Sequence, residues 1–189
     1  MLESDDSNVI EYQDEVHFQL STTITRKWAL KGSAPKVKSH PGRQKASYSG
    51  YIIPSSGRLI TTKPEWFNYE TVFQSLRDFM RQMPDDGRRI CLVVDNAPWH
   101  KKAIRLIQTE AREEYGDIRR RRVELVPLPP YSPDLNPIEQ VWRKTRKEVT
   151  HNRYFSNISE LTKSLDDYFE GYNVANEELS SLCSFKYKN

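Results

Sequence analysis

Three acidic residues of this sequence have positions from which they could bind a metal ion, and Asp95 is the first of them. It directly follows the short apolar segment 90–94, which is typical of a strand buried on both faces. A carboxylate at the end of such a strand is costly to bury unless a cation or another charge compensates it. Ligands also bind beyond the carboxyl ends of the strands in open α/β sheets. The sequence DNAP is equally typical of a turn, so a turn or helix-cap aspartate is the alternative interpretation of Asp95.

Glu139 is the second of these residues, and it lies at the start of a predicted helix with the sequence NPIEQVW. Asn136 is a good N-cap, Pro137 suits the first helical position, and Glu139 is then the third helical residue. One interpretation is a capping box, in which the Glu139 carboxylate accepts a hydrogen bond from the backbone N–H of Asn136. The other is a rigid carboxylate in the first helical turn, directed at the end of the sheet. The local sequence does not separate the two.

Asp14 is the third acidic residue, and it lies within a predicted strand over residues 9–20. Apolar and polar side chains alternate along this segment, and Asp14 falls on the apolar side of the alternation. If this strand neighbours the strand that precedes Asp95, the two aspartates meet. Together with Glu139 they would form a set of hard oxygen ligands suited to Mg²⁺ or Mn²⁺.

The elements that must position these carboxylates follow from the hydrophobic periodicity. After the first strand, the pattern predicts a polar, basic hairpin or loop, then a strand hairpin, and then strands and helices in alternation. The predicted elements are a loop at 21–47, strands at 47–53 and 57–62, a helix from about Asn68, a strand at 90–94, a helix at 101–115, a strand at 123–128, a helix at 137–149 and a helix from Asn157 or Ser159. This order predicts an α/β fold, a mixed sheet flanked by helices. We expect one domain over residues 1–189.

Composition excludes membrane and secreted proteins. Hydrophobic residues make up 37% of the 189 residues, and no apolar run is long enough for a transmembrane helix. The acidic, polar N-terminus is not a signal peptide. Cys91 and Cys183 lie far apart without a partner pattern, so we interpret them as reduced thiols of a cytosolic protein, with Cys91 in the core. A zinc site is not expected.

The distribution of charge says more than the net charge of +3. Between Val16 and Pro64 there are nine Lys or Arg residues and no Asp or Glu. A second basic cluster is formed by residues 119–122, and a third by Arg143, Lys144, Arg146 and Lys147. Such one-signed clusters favour a polyanionic partner such as nucleic acid, with a solvated surface as the alternative.

Four segments resemble sequence blocks of the mariner-type transposase superfamily, in its bacterial and archaeal insertion-sequence branch. They are DEVHF from Asp14, RKWALKG from Arg26, DNAPWH from Asp95 and PPYSPDLNPIEQVW from Pro129. The likeness covers nearly the whole chain, and the last block is the most specific. It implies a ribonuclease-H-like fold of the retroviral-integrase type and a DDE triad of Asp14, Asp95 and Glu139. In this chain 43 residues separate the second and third members of the triad.

The resemblance implies a transposase catalytic domain, a divalent-metal-dependent DNA endonuclease and strand transferase of insertion-sequence transposition. Two Mg²⁺ or Mn²⁺ ions held by the triad would activate the attacking water or 3′-hydroxyl and stabilise the leaving oxygen. Further candidates for supporting the ligands or contacting DNA are Asn96, His100, Asn136, Arg143 and Arg146. Ordinary turn and cap roles, and a Glu139–Arg143 surface pair, are the alternatives for these residues.

The partners implied are double-stranded DNA, as transposon ends and target, and a second copy of the chain in a homodimer. Such transposases normally begin with helix-turn-helix modules, whereas this chain starts almost at its first catalytic strand. We therefore expect those modules to come from a separate or frameshifted reading frame, or the chain to be a fragment. The expected location is the prokaryotic cytoplasm, at the nucleoid when DNA is bound. Alternative functions are an inactive or domesticated DNA-binding relative, a ribonuclease-H-type repair nuclease and a structural α/β domain.

Overall fold

The computed structural model describes residues 8–110, 113–130 and 132–184. Five strands form one mixed sheet in the order β3-β2-β1-β4-β5. The strands are β1 (Asn8–Gln19), β2 (Lys45–Ile53), β3 (Arg58–Thr62), β4 (Arg89–Val94) and β5 (Val123–Pro127). β2 pairs antiparallel with β1 and β3, whereas β4 pairs parallel with β1 and β5. The predicted mixed sheet is thus confirmed, with β1 at its centre.

Six α-helices accompany the sheet within the described ranges. They are α1 (Tyr69–Gln82), α2 (Pro98–Thr109), α3 (Glu113–Arg120), α4 (Ile138–Thr145), α5 (Ile158–Glu170) and α6 (Glu177–Cys183). A 3-10 turn (Pro133–Leu135) precedes α4, and a π-helical turn (Arg146–Thr150) continues it. None of the helices in these parts of the chain is long and apolar enough to cross a membrane.

The helices cover the two faces of the sheet and divide the core in two. α1, α2 and α3 pack on one face, where Tyr51 of β2 stacks on Phe79 of α1 at 4.4 Å between ring centroids. α4, α5 and α6 pack on the other face around Phe18 and Trp142. Both cysteines are buried, and Cys91 lies in the interior as predicted. Because one helical layer covers each face of the sheet, alternate side chains of β1 face different layers.

Two helices begin at the caps that the sequence predicts. Asn68 accepts a hydrogen bond from the backbone N–H of Thr71, whose hydroxyl accepts from the N–H of Asn68, which forms a capping box before α1. Asn157 accepts from the N–H of Glu160 at the start of α5. Because these signals are local, the sequence located both helix starts to within one residue.

The helix predicted at 101–115 is wrong in its bounds. α2 begins earlier, at Pro98, whose fixed φ suits a first helical turn, and it ends at Thr109. Tyr115 belongs to the separate helix α3, and residues 111 and 112, which the predicted helix also covered, lie outside the described residues. The early start was missed because buried His100 occupies a core position in the first turn of α2, which apolar periodicity does not count.

Smaller differences concern the loop after β1 and the end of the chain. Residues 21–44 form a loop without regular structure, so of the two predicted alternatives the hairpin is wrong. The helix predicted at 137–149 ends at Thr145 and continues as the π-helical turn. The pattern did not predict α6, a helix of 7 residues whose N-cap is Asn176.

Candidate active site

Asp14 lies on the central strand, opposite Gly50 of β2. Its Oδ2 accepts a hydrogen bond from the indole N–H of Trp142 at 3.0 Å. The indole lies directly against Gly50, where an added Cβ would be 2.6 Å from Trp142 Cζ2. Because any larger residue at position 50 would push the indole away, the glycine permits the Trp142–Asp14 contact.

The environment of Asp14 opposes its ionisation. Burial raises the pKa of Asp14, the negative charges of Glu139 and Glu15 raise it further, and the Trp142 hydrogen bond lowers it, with a result of about 7. Glu139 is thus near enough to Asp14 for the two carboxylates to repel each other. Two neighbouring carboxylates in a partly buried place are what a bound cation stabilises.

Glu139 is in the first turn of α4, and the capping-box interpretation of it is wrong. The backbone N–H of Asn136 donates to the carbonyl oxygen of Pro133 at 2.9 Å, so Glu139 does not cap it. The Glu139 side chain has no hydrogen bond or ion pair within the parts of the chain that are described, so the surface pair with Arg143 is not formed. The carboxylate therefore remains available as a ligand.

Asn136 was predicted as the N-cap, but α4 begins at Ile138 with Pro137 at the N-cap position, so the predicted helix start is one residue too early. Asn136 is buried, and its side-chain oxygen accepts a long hydrogen bond, 3.4 Å, from the N–H of Ile138. Its amide nitrogen donates to the carbonyl oxygen of Gln13 at 3.1 Å, directly before Asp14. Asn136 thus ties the start of α4 to the central strand, and this fixes Glu139 relative to Asp14.

Asp95 directly follows β4, and within the described parts of the chain its side-chain hydrogen bonds are with His100 and the loop after β4, while only its backbone register relates it to Asp14. The last β1–β4 pair is Tyr12 with Val93, and continuing this parallel register by two residues brings position 14 beside position 95. The side chain of Asp95 is half-exposed, and its Oδ1 accepts from the N–H of Ala97 at 2.8 Å. The predicted turn role of Asp95 is therefore present, together with a position at the carboxyl end of the strand.

His100 is the side chain that Asp95 contacts most closely. Its Nδ1 lies 2.6 Å from Asp95 Oδ1, and its Nε2 lies 3.0 Å from Glu15 Oε1. Burial lowers the pKa of His100, but its hydrogen bonds to the two carboxylates outweigh this and raise the pKa to about 9. The His100 hydrogen bond in turn holds the pKa of Asp95 below its usual range.

Sequence reasoning missed Glu15 and the Trp142 contact. The signal for Glu15 was a row of polar residues at alternate positions of a central strand, Glu11, Gln13 and Glu15. Such a row on a covered face requires polar partners. Trp142 is a core residue at 1% exposure, and the sequence gave no sign of its hydrogen bond to Asp14.

Of the other residues predicted to support the ligands or to contact DNA, two contact neighbouring groups of the fold and one is exposed to solvent. Asn96 donates to the carbonyl oxygen of Leu128, which links the loops that follow β4 and β5. The guanidinium of Arg146 lies over the ring of Phe18, 5.6 Å from its centroid. Arg143 is exposed on α4, one helical turn beyond Glu139. Of these side chains, Arg143 is the best placed to meet a phosphate.

The basic clusters of residues 21–44 and 119–122 differ in whether their side chains are bonded within the domain. Residues 21–44 carry six exposed cationic side chains: Arg26, Lys27, Lys31, Lys36, Lys38 and Arg43. The cluster at 119–122 is engaged within the fold, since Arg120 pairs with Asp117 and Arg121 donates to the carbonyl oxygen of Met83. Positive charge for a partner is therefore concentrated in the 21–44 loop, which also exposes Trp28 completely.

Comparison with known proteins gives one family and several relatives. A family model described as DDE superfamily endonuclease matches residues 9–162. The chain is similar to the insertion element IS630 uncharacterized 39 kDa protein of Shigella sonnei, with 25% identity over 159 residues, which are 84% of this chain and 44% of the relative. It is also similar to the transposable element Tc1 transposase of Caenorhabditis elegans, with 27% identity over 149 residues, 77% of this chain and 50% of the relative. The chain thus spans half the length of these two relatives or less.

Among solved structures, the fold is similar to that in a pre-cleavage Mos1 transpososome. The TM-score is 0.62 at 20% identity, over 94% of this chain and 52% of that chain. The Mos1 mariner paired end complex with Mn gives a TM-score of 0.62 at 22% identity, over 90% and 50% of the two chains. These likenesses confirm the ribonuclease-H-like mixed sheet that the resemblance implied.

Proposed function

The chain belongs to the DDE superfamily of endonucleases, and from this membership we propose that it forms the catalytic domain of a DNA transposase. The proposed activity is metal-dependent cleavage of DNA and transfer of strands during insertion-sequence transposition. Two relatives support it, since one is an insertion-element protein and the other a transposase. The observation that carries it is the half-buried Asp14 carboxylate, which the Trp142 indole holds beside the negative charge of Glu139.

Asp14, Asp95 and Glu139 are the ligands we propose for two Mg²⁺ or Mn²⁺ ions. Burial and Glu139 both oppose the ionisation of Asp14, and a cation between the carboxylates would reverse both effects. Carboxylate oxygens are also the donors that these ions prefer. Mos1 paired end complexes were solved with Mn and with Mg, which supports the choice of ions. When bound, the ions would activate the attacking water or 3′-hydroxyl and stabilise the leaving oxygen.

The chain's own residues orient these ligands. The indole of Trp142 holds one oxygen of Asp14 and restricts its rotation. Asn136 joins the start of α4 to β1, so Glu139 and Asp14 keep a fixed relation. Phosphodiester chemistry depends on positioning and on charge neutralisation, and a nucleophilic serine or cysteine is not required.

Double-stranded DNA, as transposon ends and target, is the proposed substrate. The six exposed cations of the 21–44 loop and Arg143 beside the carboxylates support phosphate contacts. We propose that recognition of the ends needs a helix-turn-helix segment and a second copy of this chain. Mos1 transposase forms a paired-end complex with a transposon end, which supports the pairing. The proposed location is the prokaryotic cytoplasm, at the nucleoid when DNA is bound.

Single-turnover nicking of DNA with Mg²⁺ tests this function. We expect the wild-type chain to nick DNA with Mg²⁺ and not with EDTA, and Asp14→Ala, Asp95→Ala and Glu139→Gln to lose most of the rate while remaining folded. Glu139→Gln keeps the side-chain length but loses the charge that a divalent ion needs.

Asn136→Ala is the comparison variant in the same helical turn, because it breaks the link between α4 and β1 and leaves all three carboxylates in place. It should lose about 1–3 kcal/mol of unfolding free energy, as the loss of a buried hydrogen bond does, and it should slow nicking less than the carboxylate variants do. Wild-type rates in the three carboxylate variants would contradict the proposed site, and Mg²⁺-independent nicking would contradict the proposed chemistry.

A further inference from the structure

His100 is fully buried, and its two ring nitrogens lie against two different carboxylates. Nδ1 is 2.6 Å from Oδ1 of Asp95, and Nε2 is 3.0 Å from Oε1 of Glu15. The side chain of Glu15 is 8% exposed, whereas that of Asp95 is 46% exposed. The imidazole thus links a buried carboxylate to one that faces the site.

We propose that Glu15 and His100 are positioning residues, which hold the Asp95 carboxylate in the orientation in which it binds a divalent cation. This inference rests on the proposed function and deepens it. Neither residue is among the proposed ligands, and neither needs to touch DNA. Their effect on the reaction passes entirely through Asp95.

The two carboxylate oxygens of Asp95 differ in the hydrogen bonds that they accept. Oδ1 accepts hydrogen bonds from the His100 ring and from the backbone N–H of Ala97. Oδ2 is therefore the oxygen left for a cation. Because the other oxygen is already fixed, the carboxylate loses less freedom when an ion binds.

Glu15 is itself fixed by the sheet. Its Oε1 also accepts from the side-chain amide of Gln13 at 3.1 Å, and the same amide donates to Ser49 Oγ at 2.9 Å. Gln13 and Glu15 belong to β1 and Ser49 to β2, so this group is held by regular strands. The chain of contacts ties Asp95, in the loop after β4, to the rigid centre of the molecule.

These three side chains do not form a metal site of their own in this arrangement. Ligand atoms of Glu15, Asp95 and His100 lie within 4.8 Å of one another, which is close enough for such a site. However, the two carboxylates lie at opposite nitrogens of the ring, and an imidazole binds one ion through one nitrogen. A single ion therefore cannot take the place of both contacts, and the arrangement suits orientation instead.

Two substitutions of His100 separate positioning from packing. Asparagine places its amide nitrogen near Nδ1 and keeps a donor for Asp95, whereas glutamine places it near Nε2 and keeps a donor for Glu15. We expect His100→Gln to weaken Mn²⁺ binding by about 10- to 100-fold, as removal of a metal ligand's partner does. His100→Asn should lose clearly less affinity. Calorimetric titration with Mn²⁺ alone measures both, and circular dichroism compares their folding.

The sign of the change distinguishes orientation from charge. Loss of a ring that can carry a positive charge would by itself strengthen cation binding, so weaker binding reports orientation. Equal losses in the two variants, or none in His100→Gln, would overturn the proposal. If the variants show the expected pattern but wild type does not nick DNA, the proposed function is wrong and the positioning role stands. A wild-type chain that binds no Mn²⁺ would overturn both.

A measurement on the unsubstituted protein decides the question even if a variant does not fold. The sequence has four histidines, so their ring ¹⁵N signals can be resolved by NMR in histidine-labelled protein. Added Mg²⁺ should shift the signals of His100 over the concentration range in which the ion binds, because its partner Asp95 becomes a ligand. Signals of His100 that stay unchanged at saturating Mg²⁺ would overturn the proposal.

Discussion

Asp14 and Glu11 of β1 are removed from solvent in part and in full, respectively, and they differ in what compensates the burial of their carboxyl groups. Asp14 lies beside Glu139, where a cation would stabilise it. Glu11 faces the other helical layer and is 0% exposed, and neither of its carboxylate oxygens has a hydrogen-bond partner in the described parts of the chain. Burial raises the pKa of Glu11 to about 8, although two arginines lower it. Glu11 is therefore mostly a neutral acid near pH 7.

The burial of Glu11 predicts a specific dependence of stability on pH. Its pKa is about 8 in the folded chain and has an ordinary value of 4.5, so between these values the folded state holds a proton that the unfolded state has released. The contribution of Glu11 to the unfolding free energy therefore falls as pH rises through this window and is lost above it. Glu11→Gln cannot ionise, so the variant should gain stability relative to wild type between about pH 5 and about pH 9.

Urea midpoints of the two proteins at both pH values, with EDTA present, measure this gain. Taking the difference between wild type and variant cancels the titration of every other group, including that of His100. A difference that stays constant across the window would show that Glu11 ionises normally in the folded chain.

At the scale of elements, the sequence predicts those strands and helix starts whose signals lie within the segment itself. The strands alternate or are uniformly apolar, and the asparagine caps of α1 and α5 lie next to the helices they begin. The early start of α2 could not be predicted in this way. The first turn of α2 contains His100, a polar residue that is buried because distant carboxylates receive its hydrogen bonds.

The same limit applies to the site. Its three carboxylates could be proposed only from local sequence and resemblance together, because Asp95 and Glu139 also suit ordinary turn and cap roles. Their supporting contacts could not, since Trp142 and Asp14 are 128 residues apart and His100 and Glu15 are 85 apart. Alternation assigns side chains to faces of a strand, but it does not say which helix packs there.

Two glycines, one packed under α4 and one in an open position of α3, predict opposite effects of substitution by alanine. Gly50→Ala places a methyl group 2.6 Å from Trp142 Cζ2 and 3.1 Å from Ile138 Cδ1. It should lower the unfolding free energy by about 1–3 kcal/mol, as overpacking does. Gly116→Ala, in α3, meets nothing within 4 Å, and should raise stability by about 0.5–1 kcal/mol through helix propensity.

Urea denaturation of the two single variants checks this pair. The Trp142 indole should also move in Gly50→Ala, which a change in tryptophan fluorescence or in the indole N–H resonance would report. Equal stabilities of the Gly50→Ala variant and wild type would mean that α4 does not pack as described.

At the scale of the whole molecule, the positive charges differ in their surroundings from one segment to another. The arginines at 119–122 are bonded within the domain, whereas the cations of the 21–44 loop extend into solvent together with Trp28. The loop is attached at its base, where Thr25 and Asn152 exchange hydrogen bonds. An exposed basic loop on a fixed base suits contacts to phosphates, which position DNA without reading its sequence.

Neutralising the loop should therefore reduce the salt dependence of DNA binding. In a variant with Lys27, Lys31 and Lys36 changed to Gln, the slope of log affinity against log salt should decrease by about 0.9 for each phosphate that the loop no longer neutralises. The decrease should be similar for unrelated duplex sequences. Arg120→Gln is the control, because Arg120 is exposed but paired with Asp117, and its slope should match wild type. A slope unchanged by the triple substitution would remove the loop from the proposed DNA surface.

The central claim is that Asp14, Asp95 and Glu139 hold the catalytic metal ions, and anomalous X-ray scattering from Mn²⁺ tests it most directly. Crystals of the chain with DNA and Mn²⁺ would give data at the manganese absorption edge, and the anomalous peaks locate the ions without reference to activity. The account predicts peaks in contact with carboxylate oxygens of all three residues, with His100 still bonded to Asp95. Manganese bound to Glu15 or His100 instead, or peaks that leave Asp14 or Glu139 without a metal contact, would contradict it.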